Sequence, residues 1–156
     1  MFGFLKRKPR VIKAPVDGML IPIEEVDDEV FSAKMAGDGI AIMPIGDTFV
    51  APIDGVITKI FSTNHAFSIK SKQDLEVLVH IGLETVALKG EGFERLAQEG
   101  DEVTAGTPII KVDLNYVKAN AKDIVTPILL TDESKFDAID KNDNVVKSGD
   151  PIMEVN

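Results

Sequence analysis

At 156 residues and 44% hydrophobic composition, the chain is long enough for one domain with a sizeable core and too apolar for wholesale disorder. Its formal net charge of −9 argues against nucleic-acid binding, which needs concentrated positive charge, and steers basic partners instead. With no cysteine there is neither a disulfide nor a thiolate metal site, which fits a reducing, cytoplasmic location, and no apolar run nears the roughly 18 residues of a membrane span.

Residues 1–10 read as a tail. Lys6, Arg7, Lys8 and Arg10 follow the apolar lead-in Met1-Phe2-Gly3-Phe4-Leu5, and no acid occurs before Asp17. That pattern suits at most a weak membrane-surface association. Pro9 limits any helix, so a flexible, solubilising terminus is the expectation, with one domain over residues 11–156. The opening Met and this basic tail are read as those of a stand-alone chain. Strands are expected at 39–43, 56–60, 77–81, 108–112 and 151–155, between clusters of Gly, Asp, Asn and Pro. Short helical turns are expected at 92–99, 114–120 and 132–139. The sum is an all-β, antiparallel sandwich or barrel, not alternating βαβ units.

The chain repeats itself. Ala14-Pro15-Val16-Asp17-Gly18-Met19-Leu20 returns as Ala51-Pro52-Ile53-Asp54-Gly55-Val56-Ile57. Val103-Thr104-Ala105-Gly106-Thr107-Pro108-Ile109-Ile110-Lys111-Val112 returns as Val146-Lys147-Ser148-Gly149-Asp150-Pro151-Ile152-Met153-Glu154-Val155. Glycine supplies a tight turn before each apolar strand, and two matches of this length predict an internally duplicated, pseudo-symmetric β structure.

Two histidines are all the chain has, each at the end of a short apolar run. Strand alternation through 61–67 puts Phe61, Thr63, His65 and Phe67 on one face, and through 76–82 it puts Glu76, Leu78, His80 and Gly82 on another. A turn at Gln73-Asp74 would pair the two runs and bring the imidazoles together. The Thr63 hydroxyl could then orient His65, and the Gly82 carbonyl could orient His80. Two neutral imidazoles among Phe and Val, with no carboxylate between them, suit phosphoryl transfer: one ring attacks phosphorus while the other donates to its oxygens. An apolar surround would protect the phosphoramidate from water. No Gly-x-Ser-x-Gly elbow supports a serine triad, and no third ligand or His-Glu-x-x-His supports a zinc hydrolase.

Thr63-Asn64-His65-Ala66-Phe67-Ser68-Ile69, Leu78-Val79-His80-Ile81-Gly82-Leu83-Glu84-Thr85-Val86 and Leu88-Lys89-Gly90-Glu91-Gly92-Phe93 together resemble the glucose-type enzyme IIA family of the bacterial phosphoenolpyruvate-dependent sugar phosphotransferase system. Lys34-Met35-Ala36-Gly37-Asp38-Gly39-Ile40-Ala41-Ile42 fits the same pattern, and the likeness runs from about Val11 to the C-terminus. One position departs: the family places Gly six residues before the phosphorylated His, and here it is Asp74, a residue that tolerates left-handed turns. The resemblance implies an antiparallel β-sandwich on a duplicated motif. It implies that His80 takes a phosphoryl group on Nε2 from the carrier HPr and passes it to a cysteine on the IIB domain of a sugar permease. His65 would hold the phosphate, with Thr63 and Gly82 orienting the two rings. Val30, Phe31, Met35, Phe61, Leu78 and Val86 resemble the family's apolar docking rim, and Asp28 and Glu84 would meet basic side chains on HPr. Regulated transporters or kinases are further implied partners. No resident cofactor is expected; Zn²⁺ would need a carboxylate borrowed from a partner.

Two other readings compete. Ala33-Lys34-Met35-Ala36 faintly resembles the modified lysine of a biotinyl or lipoyl carrier, which would leave both histidines unexplained. A regulatory binding module without phosphotransfer would keep the fold but has no motive in the sequence, since His65, His80, Thr63 and Gly82 are all present.

Overall fold

Each Asp-Gly step of the repeat opens a strand, and the duplicated segments meet as equivalent pairs. The structure, a computed structural model, describes residues 10–132, 135–139 and 144–155. In chain order its elements are β1 (Arg10–Lys13), β2 (Gly18–Pro22), a 3-10 turn (Ile23–Glu25), α1 (Glu29–Ser32), β3 (Asp38–Pro44), β4 (Thr48–Val50), β5 (Gly55–Ile60), β6 (Ala66–Lys70) and β7 (Glu76–His80). There follow a second 3-10 turn (Thr85–Leu88), β8 (Phe93–Arg95), β9 (Glu102–Val103), β10 (Pro108–Val112), α2 (Leu114–Asn120), β11 (Thr126–Leu130), β12 (Phe136–Ala138), β13 (Val145–Val146) and β14 (Pro151–Val155).

The duplication is visible in the hydrogen bonding. Gly18 pairs with Val146 across β2 and β13, and Gly55 pairs with Val103 across β5 and β9. Asp17 accepts from the Ser148 amide at 2.7 Å, and Asp54 accepts from the Ala105 amide at the same distance. Each Asp therefore ties its own Gly turn to the Gly turn of the later repeat.

An eight-stranded antiparallel sheet, in the order β13-β2-β3-β11-β7-β6-β5-β9, packs with the three-stranded sheets β4-β10-β8 and β1-β14-β12 around one core. These are open sheets, so the architecture is a sandwich and no closed barrel. Strand β7 alternates as its sequence requires: Val77 and Val79 are fully buried in the core, while Glu76, Leu78 and His80 face outward, half-covered. That outward face has its own apolar layer. The segment from Ile23 to Phe31 crosses it and buries Ile23, Val26 and Phe31 against Ala41, Leu83, Val125 and Leu129. Covered on both faces, β11 is buried at all five residues.

The five expected strand segments fall within β3, β5, β7, β10 and β14, with Ile81 lying just past the end of β7, and α2 spans the residues expected of it. Asp113 starts α2 by accepting from the Tyr116 amide at 3.1 Å, and Val117 anchors it in the core. Two helical expectations are corrected. Residues 92–99 hold β8 instead, because Gly92 sits at φ 89° and Phe93 pairs with Val112. Within 132–139, Phe136–Ala138 is a strand paired with β14, and Glu133 and Ser134 lie outside the described residues. The expected strand over 61–67 begins only at Ala66; residues 61–65 form a turn. The tail falls on residues 1–9, outside the described residues, apart from Arg10, which opens β1.

Asp74 closes the β6–β7 hairpin in the left-handed region, at φ 61°, within a turn pinned by the Ser71 hydroxyl, which accepts from the Gln73 and Leu75 amides. Asp74→Gly should therefore leave unfolding free energy within about 1 kcal/mol of the parent, whereas a β-branched Val there should cost about 1–2 kcal/mol. Urea denaturation of the two variants checks this, and equal stability for Gly and Val would contradict the turn.

Candidate active site

The hairpin register places Ala66 opposite His80, so His65, one residue before β6, stands diagonal to it. The Ile81 amide donates to the His65 carbonyl at 2.7 Å and ties the two histidine-bearing segments together. The imidazole centroids lie 4.9 Å apart with their planes at 79°. Phe31 covers one ring, its centroid 4.9 Å from that of His80, and Phe61 meets His65 edge-on at 5.4 Å.

Each ring is held by one partner on Nδ1. His80 Nδ1 lies 2.8 Å from the Gly82 carbonyl. A carbonyl only accepts, so Nδ1 carries the proton and Nε2 keeps its lone pair. His65 Nδ1 lies 2.5 Å from the Thr63 hydroxyl. A hydroxyl that donates to Nδ1 leaves the His65 proton on Nε2, ready to be given to an oxygen.

Burial sets the charge state. His65 is 3% exposed, and desolvation with the neighbouring His80 ring pushes its pKa down to about 4. Burial lowers His80 as well, opposed by the Gly82 carbonyl and by the Asp28 carboxylate. Both rings are therefore neutral at pH 7. That is the condition for one nitrogen to act as nucleophile.

Gly82 is demanded by the space around it. At φ 80°, a Cβ there would stand 2.5 Å from the Thr85 methyl and 2.8 Å from the Asp123 carbonyl. Thr85, fully buried, donates its hydroxyl to the Ile81 carbonyl at 2.7 Å, and the Leu83 amide donates to Asp123. The loop that presents the Gly82 oxygen is thus fastened on both sides. Thr85 falls within the 78–86 motif with no role assigned to it, and Asp123 carries no signal in the sequence, since both contacts depend on the folded loop.

The other predicted residues divide by exposure. Val30, Met35 and Val86 are exposed at 47%, 71% and 57%, and Phe61 and Leu78 are half-buried. Phe31, 7% exposed, belongs to the packing beneath His80 more than to an outer rim. Asp28 caps α1 by accepting from the Val30 amide at 2.9 Å, and Glu84 is exposed in a left-handed conformation at φ 58°. Lys34 is not on a hairpin tip; it lies between α1 and β3, paired with Glu24 at 3.2 Å and Asp38 at 3.6 Å. That placement removes the structural basis of a biotinyl or lipoyl carrier.

Comparison with known proteins is specific. Residues 10–136 match the family described as phosphoenolpyruvate-dependent sugar phosphotransferase system, EIIA 1. The chain is 47% identical over 155 residues to the PTS system glucose-specific EIIA component of Haemophilus influenzae, covering 98% of this chain and 93% of that protein. It is also 47% identical over 146 residues to the glucoside-specific EIICBA component of Staphylococcus carnosus, of which it spans 21%. The solved glucose permease IIA from Mycoplasma capricolum superimposes with a TM-score of 0.89 at 40% identity, covering 95% of this chain and 96% of that one.

Gly82→Ala should cost on the order of 3 kcal/mol of stability and displace the carbonyl from His80; thermal unfolding at parent-like stability would contradict the packing. The low pKa of His65 gives a pH signature. Unfolded His takes up its proton near 6.5 and folded His65 near 4, so the unfolded state binds more protons between those values. Stability from neutral His65 is complete above pH 6.5 and declines as pH falls toward 4. The stability difference between the parent and His65→Gln, measured by urea at pH 7 and pH 4.5, should therefore shift toward the variant at the lower pH; a constant difference would show that His65 is not held neutral.

Proposed function

This chain belongs to the EIIA type 1 family of the phosphoenolpyruvate-dependent sugar phosphotransferase system, and from that premise we propose that His80 is its phosphorylated residue and His65 the residue that holds the phosphoryl group. The protein is a phosphotransferase component of sugar transport, a phosphocarrier of the glucose type. The observation that carries the division of labour is the bond from His80 Nδ1–H to the Gly82 carbonyl, which leaves Nε2 as the free nucleophile beside a second neutral ring.

In the proposed reaction the His80 Nε2 lone pair attacks the phosphorus of phosphohistidine on HPr. A new N–P bond forms as the donor's N–P bond breaks, and the electron pair returns to the donor ring. The His80 ring gains positive character, and the Gly82 carbonyl facing Nδ1–H accommodates it without reorganising. His65 donates Nε2–H to a phosphoryl oxygen, with the Thr63 hydroxyl fixing that tautomer. Transfer onward reverses the geometry. The thiolate of a cysteine on a permease IIB domain attacks phosphorus, and the N–P electron pair returns to Nε2.

Both partners would use one face in turn. Val30, Met35 and Val86 supply exposed apolar surface, Phe61 and Leu78 extend it toward the rings, and Asp28 and Glu84 offer charge to basic side chains. An apolar centre with charged edges suits such a transient interface. The reaction would run in the cytoplasm and would need no resident cofactor; Zn²⁺ between the imidazoles would take its remaining ligands from a partner.

Incubation with phosphoenolpyruvate, enzyme I and HPr should add one acid-labile phosphoryl group to the intact mass. His80→Gln should lose it, and His65→Gln should still accept it but pass it on at least about a hundredfold more slowly. An unlabelled wild type would refute the phosphocarrier assignment, and a labelled His80→Gln would refute the role of His80.

A further inference from the structure

His65 reaches the site on the connection between β5 and β6. It is carried by the 61–65 turn and not by a strand, and Asn64 within that turn is left-handed at φ 59°. The turn closes on itself through Asn64 N–H to the Phe61 carbonyl at 2.7 Å and Phe61 N–H to the Ala66 carbonyl at 2.9 Å. A side chain from another sheet grips it. Arg95, at the end of β8, donates from Nε to Asn64 Oδ1 at 2.9 Å and from a terminal guanidinium nitrogen to the Phe61 carbonyl at 3.3 Å.

The grip spans two sheets. Arg95 is set in register by its pairing with Ile110 on β10, in the three-stranded sheet, while the turn joins β5 and β6 of the large one. The two acceptors are the two residues on either side of Ser62 and Thr63, so fixing them fixes where the Thr63 hydroxyl and the His65 ring begin. The fork suits the task, since Nε and a terminal nitrogen diverge in one rigid plane, which a lysine ammonium cannot imitate. Arg95 is exposed, so this pair adds little to global stability. Its consequence is geometric.

We infer that Arg95, acting through Asn64 and the Phe61 carbonyl, is a positioning residue for His65 that holds the second imidazole where it can donate to the phosphoryl group. The inference rests on the phosphocarrier reading above. Arg95 does not touch the reacting atoms; it limits how far the turn carries Thr63 and His65 away from His80. Phosphoryl transfer is sensitive to displacements of this kind because its catalysis is mostly placement.

The test compares wild type, Arg95→Ala, Arg95→Lys, Asn64→Gly and the Arg95→Ala/Asn64→Gly double variant. Asn64→Gly keeps the left-handed turn and removes the acceptor. The measurements are rapid-quench transfer from the phosphorylated protein to a permease IIB domain at increasing acceptor, thermal unfolding, and the ¹⁵N signals of the two imidazoles in the protein alone. Onward transfer at saturating acceptor should fall about tenfold in Arg95→Ala, with the half-saturating acceptor concentration and the unfolding temperature little changed. Arg95→Lys should not restore it, and Asn64→Gly should show much of the loss, with the double variant no slower than Arg95→Ala. The His65 nitrogen signals should move in Arg95→Ala while those of His80 stay. Unaltered transfer in Arg95→Ala, full rescue by Lys, an effect confined to half-saturation, a loss that only follows global unfolding, or unmoved His65 signals would each overturn the inference. Failure of the wild type to take up phosphate would instead overturn the reading beneath it.

Discussion

The hydrogen bond from His80 Nδ1 to the Gly82 carbonyl is the contact from which the chemistry of the site follows. Because a backbone carbonyl cannot donate, it dictates the tautomer, and the tautomer dictates which nitrogen is nucleophilic. Much of the surrounding loop exists to keep that oxygen in place. Gly82 must be glycine because Thr85 and the Asp123 carbonyl occupy the space of a side chain, and both are themselves bonded to the loop they crowd. A ring already protonated on Nε2 would have no lone pair to offer, so burial is the bond's necessary companion. Phe31 and the apolar layer on the outer face of the sheet withdraw His80 from water and keep it neutral.

The fold supplies this arrangement through layering. The inner faces of the sheets share one large core, which sets the register of β6 against β7 and so the separation of the two rings. The outer face of the same sheet is covered by the segment from Ile23 to Phe31, whose short helix begins on the Asp28 cap. That single cap therefore has two effects. It starts the helix that sets Phe31 on His80, and its carboxylate opposes the effect of burial on the same ring.

Much of this was legible in the residues. Alternation through 76–80 predicted which side of β7 carries His80, and the Asp-Gly repeats predicted a duplication that the structure displays as matched bonds from Asp17 and Asp54. Strand alternation also pairs Thr63 with His65, though for the wrong local reason. The sequence suggests a strand through 61–67, but Asn64 takes the left-handed conformation and makes a turn, in which the Thr63 hydroxyl still reaches the ring. The misread helix at 92–99 has a similar cause, since Gly92 is left-handed and the following residues pair with β10. α1 went unread because four residues give no periodicity, although an aspartate before Glu29 is a recognisable cap. Arg95 could not be found at all: it meets Asn64 across 31 positions of sequence, and only the packing of two sheets brings them together.

The most direct test of this account is the ¹⁵N spectrum of the imidazole nitrogens at pH 7 in the unphosphorylated protein. The account predicts two neutral rings in opposite tautomers, with His80 protonated on Nδ1 and bare on Nε2, and His65 protonated on Nε2. A His80 ring protonated on Nε2, or either ring found as imidazolium at that pH, would contradict it.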